Sequence, residues 1–157
     1  MSTDKRVDRE NFHQRFDPKI AEAMIEASNK IGGLPAYLSM KLEAFEPGRL
    51  TASMELRQEL VTMMGAVHGG VMAAFVDHCL GCVLYPLMKS GQWAATTEFK
   101  LNYLAAVKEG TLEAESTVLS LGSRSAVVRC EVRNGQRLVC TAQGTLLVSA
   151  PPGGSRS

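Results

Sequence analysis

The chain has 157 residues, of which 45% are hydrophobic and 21% charged, with 17 Lys and Arg against 16 Asp and Glu. This length suits one domain whose core needs no metal or disulfide staple, and the composition excludes disorder of the whole chain. A net charge of +1 supplies no broad field for nucleic acid, so a nucleic-acid-binding domain is not expected.

Residues 1–10 are polar and charged and lack the apolar centre of a secretory leader, and residues 1–16 read as a flexible arm. With no leader in view, the four cysteines Cys79, Cys82, Cys130 and Cys140 read as reduced thiols of a cytoplasmic protein. A helix is predicted to begin at Asp17-Pro18, because Asp caps helices and Pro is pre-set for the first turn. Ile20, Met24, Ala27 and Ile31 form its apolar stripe, and Gly32-Gly33 ends it. Over residues 37–56 the period changes to alternation, and Pro47-Gly48 supplies the turn of a β-hairpin.

Residues 68–88, HGGVMAAFVDHCLGCVLYPLM, are apolar nearly all the way round. About 20 such residues can span a bilayer. Here Asp77 and His78 fall at the centre, where an Asp costs about 2.5–3.5 kcal/mol on insertion, and Gly69-Gly70 and Pro86 shorten the usable run. The segment is therefore read as a helix buried in a protein core and wrapped by a sheet, with no membrane involved. Cys79-x-x-Cys82 lies inside it with no second pair at zinc-finger spacing, so the two cysteines read as small buried hydrophobes without a metal.

Strand-like segments follow at Trp93–Tyr103, 110–121, 125–133 and 137–148, punctuated by Gly122-Ser123 and Asn134-Gly135. A three-residue loop Arg133-Asn134-Gly135 pairs Cys130 with Leu138, Val128 with Cys140 and Ala126 with Ala142. That register keeps one face apolar and sets Cys130 and Cys140 diagonally on the buried side. The tail, residues 150–157, reads as flexible. Residues 17–149 thus form one α+β domain, an antiparallel β-sheet wrapped around a long central helix.

His68-Gly69-Gly70-Val71 opens that helix, and Asp77 lies nine residues after His68. First-turn N–H groups have no internal partner and sit at the positive end of the helix dipole. Two glycines let a ligand approach the backbone, which suits a donor site for a polarised carbonyl oxygen. The same glycines serve equally for tight packing of helix on sheet. Asp77, a carboxylate in an apolar helix, needs either a partner or a task. Gly69 and Asp77 are about 12 Å apart along the axis, whereas a general base works within about 3 Å of its water. One helix does not supply both groups, while two antiparallel helices across a two-fold axis do. The spacing therefore predicts a homodimer with shared sites.

The string from His68 to Asp77, HGGVMAAFVD, resembles the hotdog-fold acyl-CoA thioesterases, in particular their phenylacetate-pathway (PaaI-like) branch. Residues 96–106, TTEFKLNYLAA, resemble the strand that follows the helix in that family, and residues 110–148 resemble its final three strands, so the likeness spans about 34–148. It implies that the Gly69 N–H polarises a thioester carbonyl, that Asp77 is the catalytic carboxylate, acting as general base or nucleophile, and that the Thr96 hydroxyl orients the water. Thr62 stands where the family often carries Asn, and a hydroxyl offers one donor where an amide offers two. The resemblance further implies an acyl-CoA substrate, no metal or redox cofactor, and a homodimer or a dimer of dimers. His68 is expected to cap the helix or, with Gly70, to wall the substrate site. His78 points about 100° away from Asp77 around the helix and reads as structural. For the phosphates of coenzyme A, the local candidate is the turn Gly122-Ser123-Arg124-Ser125, which otherwise is an ordinary β-turn with a solvated Arg. The alternative function is a non-catalytic acyl-CoA-binding or ligand-sensing protein of the same fold, which Thr62 favours.

Overall fold

Six antiparallel strands form one sheet in the computed structural model, which describes residues 9–30 and 32–150. Three helices come first, α1 (Arg9–Arg15), α2 (Pro18–Ser28) and α3 (Leu34–Tyr37). The hairpin of β1 (Met40–Glu46) and β2 (Arg49–Glu55) follows, then the long helix α4 (Gly69–Cys82). The chain ends with β3 (Trp93–Tyr103), β4 (Thr111–Leu121), β5 (Ser125–Asn134) and β6 (Arg137–Ser149). The spatial order β1-β2-β4-β5-β6-β3 leaves β1 and β3 as the edges. This is the expected α+β arrangement, and α4 packs across β2, β3, β4, β5 and β6.

Alternation drives the layering. On β4, Leu112, Ala114, Ser116 and Val118 are buried while Glu113 and Glu115 face outward, and on β5 Ala126, Val128, Cys130 and Val132 are buried. They meet Met72, Phe75, Val76, Cys79 and Leu80 of α4, which are also buried. The stretch Gly69–Leu87 is long and apolar enough to cross a membrane, yet here its large side chains fill the core of the sheet. The helix is not buried all round, which corrects the sequence reading: Gly70 and Asp77 are exposed, and Ala73, Ala74, His78 and Gly81 are half-buried. The side chains on this open face are small, so hydropathy alone does not separate it from the core face.

The N-terminal arm also needs correction. Residues 9–15 are helical, and Phe12 is buried against the β1–β2 turn. Gly48 in that turn has a φ of +77°, and a Cβ there would lie 2.7 Å from the Phe12 ring. The junction is pinned by Asp17 N–H to Pro86 C=O at 2.8 Å and by Arg15 Nε–H to Leu87 C=O at 3.2 Å. Asp17 caps α2 as predicted, accepting from Lys19 N–H. That helix ends at Ser28, short of the glycines, and buries Ala21, with Met24 and Ile25 packed beside it. The predicted stripe residue Ile31, residues 1–8 of the arm and residues 151–157 of the tail lie outside the described residues.

The β5–β6 register differs from the predicted one. Asn134 pairs with Arg137 around a two-residue loop, and Cys130 pairs with Ala142, Val128 with Gly144 and Ala126 with Leu146. Val139 is the extra residue of a bulge where the register shifts, and its C=O accepts from Leu104 N–H and Ala105 N–H. The bulge restores the apolar pairing that the short loop alone would have offset by one residue. Cys140 pairs with Val132, so Cys130 and Cys140 remain diagonal neighbours on the buried side, and all four cysteines are free and buried.

Candidate active site

The start of α4 is built by His68. Its backbone is extended and its Nδ1 accepts from Gly70 N–H at 2.9 Å, the N-cap role foreseen for it. The His68 C=O accepts from Val71 N–H and Met72 N–H. Among the described residues this leaves Gly69 N–H as the free donor of the first two positions, because Gly70 N–H is engaged by His68. A free amide at the positive end of a 14-residue helix favours a partial negative charge.

Tyr103, which sequence reasoning did not single out as a site residue, fixes this corner. Its hydroxyl donates to Gly69 C=O at 2.8 Å, and a Cβ on Gly69 would lie 3.0 Å from that oxygen. The ring is 57% exposed, so it stands beside the free amide as an open wall. The sequence signal was its place near the end of the segment TTEFKLNYLAA, which resembles the family's strand after the helix.

Two turns of α4 further on, Asp77 opens into a groove of about 520 Å³ together with Ala73, Ala74 and residues 96–99 of β3. The strand bulges between Thr96 and Glu98, which re-aims the side chains there. Thr97 Oγ1 donates to Thr145 C=O at 2.9 Å, whereas the half-buried Thr96 has no such bond to the sheet. Glu98 places a second carboxylate in the groove, which no sequence spacing indicated because the bulge sets it. His78 is held below its usual pKa by burial, with Asp77 acting in the opposite direction. Burial pushes the Cys82 and Cys130 thiols up to about 12 and Cys140 to about 11, so none is poised as a nucleophile.

Thr62 lies in the tight loop ahead of α4 and not in the Asp77 groove. Its Oγ1 accepts from Met64 N–H at 3.2 Å and its N–H donates to Ala66 C=O at 2.7 Å. The hydroxyl therefore shapes the loop, with its own proton still free to donate.

The Gly122-Ser123-Arg124 turn is exposed and closed by Gly122 N–H to Ser125 C=O at 2.9 Å. Strand registers order these pieces. Leu121, Ala126, Leu146 and Thr96 share one rung across β4, β5, β6 and β3. Ala114, Val132, Cys140 and Tyr103 share another. Asp77, Thr96 and the turn thus belong to one end of the sheet, and Gly69, His68 and Tyr103 to the other. Within one chain the carbonyl donor and the carboxylate are separated by about 12 Å along the helix.

The thioesterase superfamily matches residues 64–141, which hold Gly69, Asp77 and Thr96. A candidate esterase of Saccharolobus solfataricus is 30% identical over 113 residues, covering 71% of this chain and 75% of that protein. The 1,4-dihydroxy-2-naphthoyl-CoA hydrolase of Escherichia coli is 24% identical over 127 residues, covering 79% of this chain and 93% of that protein. The structure of the E. coli PaaI protein from the phenylacetic acid degradation operon superposes with a TM-score of 0.73 at 17% identity, covering 90% of this chain and 96% of that one.

Proposed function

This chain belongs to the thioesterase superfamily and has its hotdog fold, and from that premise we propose that it is an acyl-CoA thioesterase acting as a homodimer with two shared sites. Thioester hydrolysis is the chemistry of the superfamily. The similarity to a naphthoyl-CoA hydrolase supports a coenzyme A thioester as substrate.

One observation carries the reading. A free first-turn amide and an exposed carboxylate lie on the same helix but at opposite ends of the sheet. The 11-residue β3 is an edge strand, and such an edge is a template for another strand. Beside it, the open face of α4 carries Gly70, Ala73, Ala74 and Gly81, small enough for a second helix to approach. Antiparallel pairing of β3 with its copy brings Asp77 and Thr96 of one chain beside Gly69 and Tyr103 of the other.

In this site the Gly69 N–H holds the thioester oxygen. Asp77 takes a proton from water oriented by Thr96, and the water oxygen bonds to the carbonyl carbon. The tetrahedral intermediate then breaks its carbon–sulfur bond, and the proton passes from Asp77 to the departing thiolate. The chain's residues suffice for each step without a metal.

A thiol-release assay across aliphatic and aromatic acyl-CoAs tests the reading. Turnover of at least one class is expected. Tight acyl-CoA binding without thiol release would instead support the ligand-sensing alternative that Thr62 favours.

A further inference from the structure

We propose that Arg15 and Lys89, with the Gly122-Ser123 turn, form a cradle for the phosphate groups of coenzyme A. The proposal rests on the acyl-CoA reading and assigns that ligand's nucleotide end to residues outside the catalytic corner.

A cavity of about 570 Å³ opens between α1, the segment after α4 and the β4–β5 turn, and Arg15, Lys89, Gly122 and Ser123 line it over a floor of Leu87 and Met88. Among the described residues no acidic side chain lines it. Arg15 is tied down through Nε, which donates to Leu87 C=O. Its terminal amino groups make no ion pair among the described residues, and neither does Lys89. A guanidinium anchored at Nε presents two parallel donors, the geometry that grips a phosphate, and an ammonium beside it adds a mobile point charge. Ser123 contributes a hydroxyl at the turn.

Spacing selects the ligand. Thr96 and Leu121 share a rung three strand spacings wide, about 14 Å. From Asp77 the helix rises about 8 Å to its end at Cys82, and the Tyr85–Leu87 segment follows it. The pantetheine arm, two amides and a branched hydroxy acid, is comparable to an extended chain of about four residues, which spans about 14 Å. A thioester held at Asp77 therefore delivers the 5′-diphosphate to the cradle on the same chain. This also gives α1 a task, since the burial of Phe12 on Gly48 and the Asp17–Pro86 bond hold Arg15 in place.

The test compares an acyl-CoA, its 3′-dephospho form and the same acyl group on pantetheine, with wild type, Lys89→Gln, Arg15→Lys and the double variant Arg15→Gln/Lys89→Gln. The double variant is expected to raise KM for acyl-CoA about tenfold, with no change in KM for acyl-pantetheine. Arg15→Lys, which keeps the charge but loses the anchored pair of parallel donors, is expected to recover only part of the affinity lost in the double variant. An equal rise for dephospho-acyl-CoA assigns the 5′-diphosphate, and a rise confined to acyl-CoA assigns the 3′-phosphate instead. An unchanged KM for acyl-CoA, or an equal rise for acyl-pantetheine, overturns the cradle. Lys89 is exposed, so Lys89→Gln keeps the test valid even where Arg15→Gln loosens α1. Calorimetric binding of coenzyme A itself separates the two proposals. If wild type releases no thiol, the thioesterase reading fails, yet weaker coenzyme A binding by the double variant still upholds the cradle, and equal binding or none overturns it.

Discussion

On one face of α4, Met72, Phe75, Val76, Cys79 and Leu80 are buried, whereas on the other Gly70 and Asp77 are exposed and Ala73, Ala74 and Gly81 half-buried. Both faces are apolar apart from Asp77 and His78, and what separates them is volume. Large side chains fill the space under the sheet, where interiors are close-packed. Small ones leave the backbone within reach of something outside the chain. A helix of this kind stabilises the fold with one face and presents a functional group with the other, so substitutions on the two faces should fail in different ways.

Asp77→Asn sharpens that contrast most. Loss of a general base is expected to lower thiol release by about 10²–10⁴-fold, with the melting temperature unchanged because the side chain is exposed. Glu98→Gln, the other carboxylate of the groove, is the matched control and should cost far less. An Asp77→Asn enzyme as fast as wild type would remove Asp77 from the mechanism. Across the helix, Phe75→Ala should behave in the reverse sense. Removing this fully buried ring is expected to destabilise the fold by about 3–5 kcal/mol, measured by denaturant unfolding. A loss below about 1 kcal/mol would contradict a packed core face.

Much of this was legible from sequence, and the failures have physical causes. Pro47-Gly48, Gly122-Ser123 and Asn134-Gly135 punctuate the strands, so β3 to β6 fall within a residue or so of their predicted ends, whereas the alternation read from residue 37 begins only at Met40, because Leu34–Tyr37 is the helix α3. Helix α1 was not legible because Arg9–Arg15 carries a single apolar side chain, Phe12, and its order depends on docking against Gly48. The β5–β6 register was misjudged because the Val139 bulge answers to the distant N–H groups of Leu104 and Ala105. In the site, Gly69 and Asp77 stand out by motif and by chemistry. Tyr103 and Glu98 do not, since only the crossing of β3 over α4 and the Thr96–Glu98 bulge bring them in.

Tyr103→Phe probes the corner that holds Gly69. Losing one hydrogen bond removes about 0.5–1.5 kcal/mol, so kcat is expected to fall by up to about tenfold while the fold persists. An unchanged kcat would make the hydroxyl incidental. The smallest effect concerns pH. His78 sits at the edge of the two faces with its pKa lowered by burial, against the pull of Asp77. The unfolded chain then binds a proton that the folded one resists, so the His78 contribution to stability is present above about pH 6.5 and is lost as pH falls toward the lowered folded value. His78→Gln should therefore flatten the acid side of the stability profile, as thermal melts between pH 5 and 8 would show. Parallel profiles for the two proteins would refute this.

The central claim is that each site joins Asp77 of one chain to Gly69 of another, and mixing two inactive parents tests it directly. One parent carries Asp77→Asn. The other carries Gly69→Val, whose side chain would start 3.0 Å from the Tyr103 hydroxyl and block the amide. In a mixed dimer with shared sites, one site receives both defects and the other receives neither. Co-refolding should therefore restore up to about half of the wild-type thiol release per heterodimer. If both residues acted within one chain, every site would keep one defect, and a mixture that stays inactive despite demonstrated heterodimers would contradict the shared site.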